Sequence, residues 1–159
     1  MRSVTRIRPE RGLFVLGTLL LAAVAVGWAA ERSHEATGPA VVRLTDLQSA
    51  LTTTPGNPNG LGSVEIATLK LFGSSVRSRP IGQGVLTCMW LSKKQRSCSG
   101  SYILPRGMIE TSGLLNSRLL YTAAITGGTG FYDNARGTLT VTAKGLRPRR
   151  EILIFRLSG

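Results

Sequence analysis

The chain has 159 residues, enough for one domain with its own core. Its 19 glycines and 18% charged residues suit an all-β protein rich in turns, and its formal net charge of +12 favours anionic partners such as lipid headgroups, cell-wall polymers or nucleic acid. The single histidine, His34, falls in a polar linker, which excludes histidine-based metal sites and Ser-His or Cys-His catalysis.

Residues 1–11 are basic, and Gly12 to Ala30 (GLFVLGTLLLAAVAVGWAA) carry no charge. A basic stretch before an apolar run predicts an apolar helix over residues 1–30, either a signal peptide cleaved after Ala29 or a retained membrane anchor. Both place the following domain outside the cytoplasm, secreted or at the cell envelope. Four of the 20 basic and one of the 8 acidic residues lie within residues 1–29, so the remainder carries +9. Residues 31–40, with Gly38-Pro39, read as a linker, and residues 41–159 as one domain.

Val41 to Leu51 allows two readings, a first strand through VVRLTDL or a short helical turn towards Leu51. Thr52 to Gly62 (TTTPGNPNGLG) is a predicted loop. Strands are predicted over Ser63–Phe72, Ile81–Leu91, Ser97–Leu104 and Met108–Leu115. Val76–Pro80, Ser92–Arg96 (SKKQR), Pro105-Arg106-Gly107 and Asn116-Ser117 supply the turns. Leu119–Thr126 is a further strand, broken by Gly127, Gly128 and Gly130, and Gly137–Ala143 (GTLTVTA) resumes. Lys144–Arg150 (KGLRPRR) is a predicted basic hairpin loop before the last strand, Glu151–Leu157. Short strands with frequent turns and no helical period after Leu51 indicate a sandwich or barrel.

The glycine cluster is not a phosphate loop, because a strand follows it where a phosphate site needs a helix N-terminus. An apolar strand, then Gly127, Gly128, Thr129, Gly130, the aromatic Phe131, and Ala135 before Gly137, resembles the allene oxide cyclase barrel and the related dirigent proteins. Ala135-Arg136-Gly137 is similar to the dirigent form, and the resemblance extends back to about Ile81. It implies an all-β, eight-stranded antiparallel β-barrel with an apolar cavity. Allene oxide cyclase-like proteins carry a glutamate on the first strand, where this chain has Arg43 and Asp46.

If the SKKQR hairpin turns about Lys93, Cys88 opposes Cys98 at a Cα separation of about 5 Å, within disulfide reach. An exported protein would oxidise such a pair; the alternative is a reactive thiol, since the cyclase resemblance places a cysteine near Cys88. The same pairing puts Leu86, Cys88 and Trp90 on one face with Cys98, Gly100, Tyr102 and Leu104, a face expected to line a core or cavity.

A barrel that folds an apolar substrate needs one or two polar groups aimed at developing charge. The acidic candidates are Glu65 and Glu110, either of which would act as an acid if turned inward. Arg136, from the dirigent-like Ala-Arg-Gly, is the cationic candidate. Trp90, Tyr102, Tyr121, Phe131 and Tyr132 are the candidate ligand-binding residues. The expected function is an exported dirigent-like barrel that binds a small apolar molecule and guides or catalyses its cyclisation or isomerisation. The alternative is a non-catalytic cell-envelope module that contacts anionic surfaces through Lys144 to Arg150. No cofactor or metal is expected, nucleic acid is not an expected partner, and a homo-oligomer is left open.

Overall fold

The computed structural model describes residues 40–54, 60–73 and 75–158. The N-terminal apolar segment and the linker up to residue 39, including His34, lie outside the described residues. Eight strands follow in order: β1 (Val41–Thr53), β2 (Val64–Phe72), β3 (Gly82–Trp90), β4 (Arg96–Leu104), β5 (Gly107–Leu115), β6 (Leu120–Gly130), β7 (Arg136–Leu146) and β8 (Arg149–Ser158). Each pairs antiparallel with the next, and β8 returns to β1, closing the barrel. Closure leaves no free sheet edge.

Alternation of side chains decides which residues fill the centre. Ala67, Leu69 and Leu71 of β2, Leu139 and Val141 of β7, and Leu153 and Phe155 of β8 are buried, while Ile66, Thr68 and Lys70 are exposed. The hairpin face expected to point inward does so: Cys88, Trp90, Cys98, Tyr102 and Leu104 are all buried. Tyr102 meets Phe155 edge-on, with ring centroids 5.1 Å apart. The two rings, with Leu71, Ile109, Leu139 and Leu153, pack the barrel centre.

Three segments differ from the sequence reading. β1 is one 13-residue strand through Thr53, with no helical turn, because it has a partner on each side. A bulge between Gln48 and Ala50 absorbs its length, and the Ser49 hydroxyl donates to the Thr68 carbonyl at 3.0 Å. β6 is not broken at the glycines: it continues to Gly130 across a bulge, with Thr111 opposite Ile125 and Glu110 opposite Gly127. Gly128 is required there by close approach, since a Cβ would stand 2.2 Å from the Tyr132 carbonyl oxygen. The basic hairpin loop contracts to Arg147-Pro148, because Lys144 to Leu146 belong to β7 and Arg149 and Arg150 to β8.

Cys88 pairs directly with Cys98, and the two form a disulfide with Cα atoms 4.1 Å apart. The oxidised pair leaves no thiol at Cys88, which removes the reactive-cysteine alternative. It closes a loop of ten residues, a small constraint on the unfolded chain. Cys88→Ala/Cys98→Ala is therefore expected to lower unfolding free energy by about 2–3 kcal/mol in urea titration, with the barrel retained.

Gly100, on the same inward face, leaves no empty space between Trp90 and Tyr102. A Cβ there would lie 2.8 Å from Thr111 Oγ1 and 3.0 Å from the Tyr102 ring. Gly100→Ala is expected to overpack the centre and destabilise the protein by about 1–3 kcal/mol in the same measurement.

Candidate functional site

The barrel has two mouths of different chemistry. One lies where β3 and β4 meet at residues 91–95, β5 and β6 at 116–119, and β7 and β8 at 147–148. Trp90 stands at this end. The opposite mouth carries the 131–135 turn that follows the glycines.

The proposed aromatic residues do not converge on one cavity. Phe131 and Tyr132 pack edge-on at the glycine mouth, with centroids 5.8 Å apart, and Arg106 stacks on Phe131 at 3.5 Å. Trp90 lies at the other mouth, Tyr102 in the packed centre, and Tyr121 beside the ionisable groups described below. Arg136 is exposed and its Nη1 donates to the Ala135 carbonyl at 2.9 Å, so it faces away from the interior. Glu110 also faces outward: it pairs with Ser101, whose hydroxyl donates to its carboxylate at 2.9 Å. The physical reason is parity, since Leu139 and Ile109, the inward residues of those strands, lie an odd number of positions away.

Glu65 is the one proposed acid that enters the barrel. It is buried, and Arg96 Nη1 reaches its Oε2 at 3.4 Å while Arg118 Nη2 reaches its Oε1 at 2.8 Å. Arg96 is buried as well, whereas the Arg118 side chain is 42% exposed, on the turn entering β6. Both guanidinium groups stand over the Trp90 ring, at 5.7 and 5.0 Å from its centroid. Burial, and next the neighbouring Arg118 charge, push the Arg96 pKa down.

Below this rim lies a second ionisable group. Glu151 of β8 is buried, and Arg149 Nε donates to its Oε1 at 2.8 Å. Arg149 also donates to the Arg118 carbonyl at 2.6 Å, tying the β5–β6 turn to β8. Across the closure seam, Asp46 opposes Glu151 and its Oδ1 accepts the Glu151 backbone N–H at 2.9 Å. Asp46 Oδ2 has no hydrogen-bond partner among the described residues. Burial, and next the Glu151 charge, raise the Asp46 pKa from 3.8 to about 8. The Tyr121 hydroxyl lies 3.5 Å from Glu151 Oε2, and burial followed by Glu151 pushes its pKa up.

Sequence reasoning missed Asp46, Arg96, Arg118, Arg149 and Glu151. Strand parity signals four of them: Asp46 follows inward Leu44 by two, Arg96 precedes Cys98 by two, and Arg149 and Glu151 continue the Leu153–Phe155 face. Arg118 lies in a turn, where no period operates. The space at this mouth is a cavity of ≈ 40 Å³, walled by Leu51, Ala67, Leu69 and Leu86 and closed by Glu65 and its arginines. A groove of ≈ 280 Å³ lies on the outer side of the same Arg96–Arg118 pair, between Trp90, Lys93 and Lys94. On the outer wall, Arg43, Lys144 and Arg150, with Gly73, Ser75 and Val76 of the β2–β3 connection, line a further groove of ≈ 520 Å³.

No family model and no curated protein matches the chain in sequence. Solved structures match it in fold. A pyocyanin demethylase is similar over 71% of this chain and 97% of its own, at 24% identity and a TM-score of 0.59. A pterocarpan synthase dirigent protein is similar over 74% of this chain and 84% of its own, at 14% identity and a TM-score of 0.60. A Diels-Alderase from Streptomyces koyangensis is similar over 74% of this chain and 64% of its own, at 18% identity and a TM-score of 0.59. The chain thus has a dirigent-like barrel fold, shared with cyclising enzymes of the same architecture.

The raised Asp46 pKa has a measurable consequence. Between about pH 4 and pH 8 the folded chain keeps a proton on Asp46 that the unfolded chain has released. The contribution of this group to stability is therefore complete below about pH 4 and is lost as pH rises to about 8, by at most about 1.4 kcal/mol per pH unit. Asp46→Asn, which is neutral throughout, is expected to gain stability relative to the parent as pH rises across that window. Urea titrations at several pH values check this.

Proposed function

We propose that this protein is a dirigent-like barrel that binds a small molecule at the Trp90 mouth and guides or catalyses its cyclisation or isomerisation. The observation that carries this reading is the concentration of buried ionisable groups at one mouth, above an otherwise apolar interior. A barrel needs none of them for folding, and burying charge is costly even when paired. A strongly perturbed acid in a recess, as Asp46 is, is instead what proton-transfer chemistry requires. Asp46, whose pKa burial raises, can donate a proton. Arg96 and Arg118 can stabilise negative charge as it develops on an oxygen of the substrate. The apolar wall of Leu51, Ala67, Leu69 and Leu86 would hold the hydrocarbon body. Similarity of fold to dirigent and Diels-Alderase barrels supports the same class of chemistry.

Export is part of the proposal. The Cys88–Cys98 disulfide fits an oxidising compartment, as does the apolar N-terminal segment. The outer groove of Arg43, Lys144 and Arg150 favours a second reading, salt-sensitive contact with an anionic surface or polymer. Arg149 has no part in that contact, because it is turned inward to Glu151.

Native mass spectrometry of protein isolated from its natural source tests the main reading. A co-isolated small molecule is expected, and Leu86→Trp, which fills the mouth from a half-buried position, should abolish it while the circular dichroism of the barrel is unchanged. A parent protein that carries no small molecule, or a Leu86→Trp variant that retains it, would overturn the reading.

A further inference from the structure

Strand parity sorts charge on four neighbouring strands, β7, β8, β1 and β2. Their acids are Asp46, Glu65 and Glu151, and all three are buried. Their bases Arg43, Lys70, Arg136, Lys144, Arg150 and Arg156 are exposed, and only Arg149 turns inward, to Glu151. The outer wall of these strands therefore carries cations and no carboxylate. Every ion pair among the described residues is made by Glu65 or Glu151, so none reaches this wall. The register arranges the cations in a row. Arg150 stands opposite Leu47, and Leu47 opposite Lys70. Arg43 stands opposite Ile154, four positions along β8 from Arg150, and Arg156 lies two positions further. At about 3.3–3.4 Å per residue, Arg150 to Arg156 spans about 20 Å. The ≈ 520 Å³ groove lies within this row. Arg43, Lys144 and Arg150 enter it from three strands, over Thr45 and the half-buried Ile152, and the β2–β3 connection overhangs it.

We infer that this row binds an extended polyanion, a flexible chain with phosphate or carboxylate groups repeated along it. The inference rests on the second reading above, contact with an anionic surface or polymer, and selects the polymer. Three features make the selection. The cations are spread over about 20 Å, farther than one compact anion reaches. Three of them enter a recess, which a single chain can occupy and a flat bilayer surface cannot. No aromatic residue lines the recess among the described residues, so the bases of a nucleic acid would have nothing to stack on. Acid groups of the chain bond to the guanidinium forks of Arg43 and Arg150, the planar donors that suit phosphate and carboxylate alike. Lys144 adds a point charge between them, and the Thr45 hydroxyl is a further donor on the floor. Lys70 and Arg156 carry the contact beyond the groove. The pairing of β8 with β1 fixes the spacing of the two arginines, so the row is as rigid as the sheet.

The probes are long-chain polyphosphate and polygalacturonate, with tripolyphosphate as the compact anion and phosphatidylglycerol vesicles as the surface. Each is titrated into the full chain, into Arg43→Gln/Arg150→Gln, and into Lys93→Gln/Lys94→Gln, which removes the same charge from the turn between β3 and β4. All four substituted residues are exposed, and circular dichroism checks that the barrel is retained. At equal concentration of acid groups, at least one polymer is expected to bind about tenfold or more tightly than tripolyphosphate, and to lose about tenfold or more in Arg43→Gln/Arg150→Gln. The slope of its log affinity against log salt should flatten by about one to two in that variant and stay at the parent's value in Lys93→Gln/Lys94→Gln. Tripolyphosphate binding as tightly as both polymers, or an equal loss in the two variants, would overturn the polyanion row. If neither polymer binds and vesicle binding falls only in Arg43→Gln/Arg150→Gln, the polyanion is overturned and the anionic-surface reading stands. Indifference of polymers and vesicles alike to Arg43→Gln/Arg150→Gln would overturn both.

Discussion

Closure of the barrel through β1 and β8 is the constraint on which the rest depends. The two strands are separated by nearly the whole domain, and their pairing runs from Val41 opposite Arg156 to Leu47 opposite Arg150. This register brings Asp46 against Glu151, two acids that no local rule would place together. One backbone N–H from Glu151 holds Asp46 Oδ1, and Arg149 holds Glu151. Shifting the register by a single residue would turn one acid outward and leave the other buried with a different neighbour. Fold and acid pair are thus specified by the same ladder.

The interior is divided by depth. Its centre is dry and close-packed around Tyr102 and Phe155, and its chemistry is confined to one end. Charges near a mouth lose less hydration than charges at the centre, so Glu65 and its arginines are tolerable there. Asp46, with one oxygen unpartnered among the described residues, has its pKa raised by burial. The gradient from ion pairs at the rim to an acid of raised pKa below follows first from burial and then from the Glu151 charge.

The glycine mouth, to which the family resemblance drew attention, is organised around backbone. Gly128 lets two chain segments approach, Phe131 and Tyr132 pack on each other, and Arg136 lies outside. The signature residues there shape the sheet, whereas the ionisable residues gather at the other end. A resemblance concentrated in a glycine corner therefore identified the fold, and Arg136 of that corner lies on the outside of the barrel.

Much of the barrel was legible because strand parity is local. Polar and apolar residues alternate along β2, β4 and β7, turns are marked by Lys-Lys, Pro-Arg-Gly and Asn-Ser, and the Cys88–Cys98 pair follows from the symmetry of one hairpin. The same rule read further would have turned Arg96, Arg149 and Glu151 inward. Where both faces of a strand carry apolar residues, as with Met108 and Leu114 against Ile109 and Leu115, parity is silent, and only the pairing of Tyr102 with Ile109 sends Glu110 outward. The sequence by itself determined the strands, the hairpin disulfide and the barrel class, because these depend on neighbours a few residues apart. The tertiary structure alone decided the length of β1, the continuation of β6 through its bulge, the meeting of Asp46 with Glu151 and the reach of Arg118 to Glu65. Each depends on a partner distant in the chain, whose position is fixed only when the sheet closes on itself.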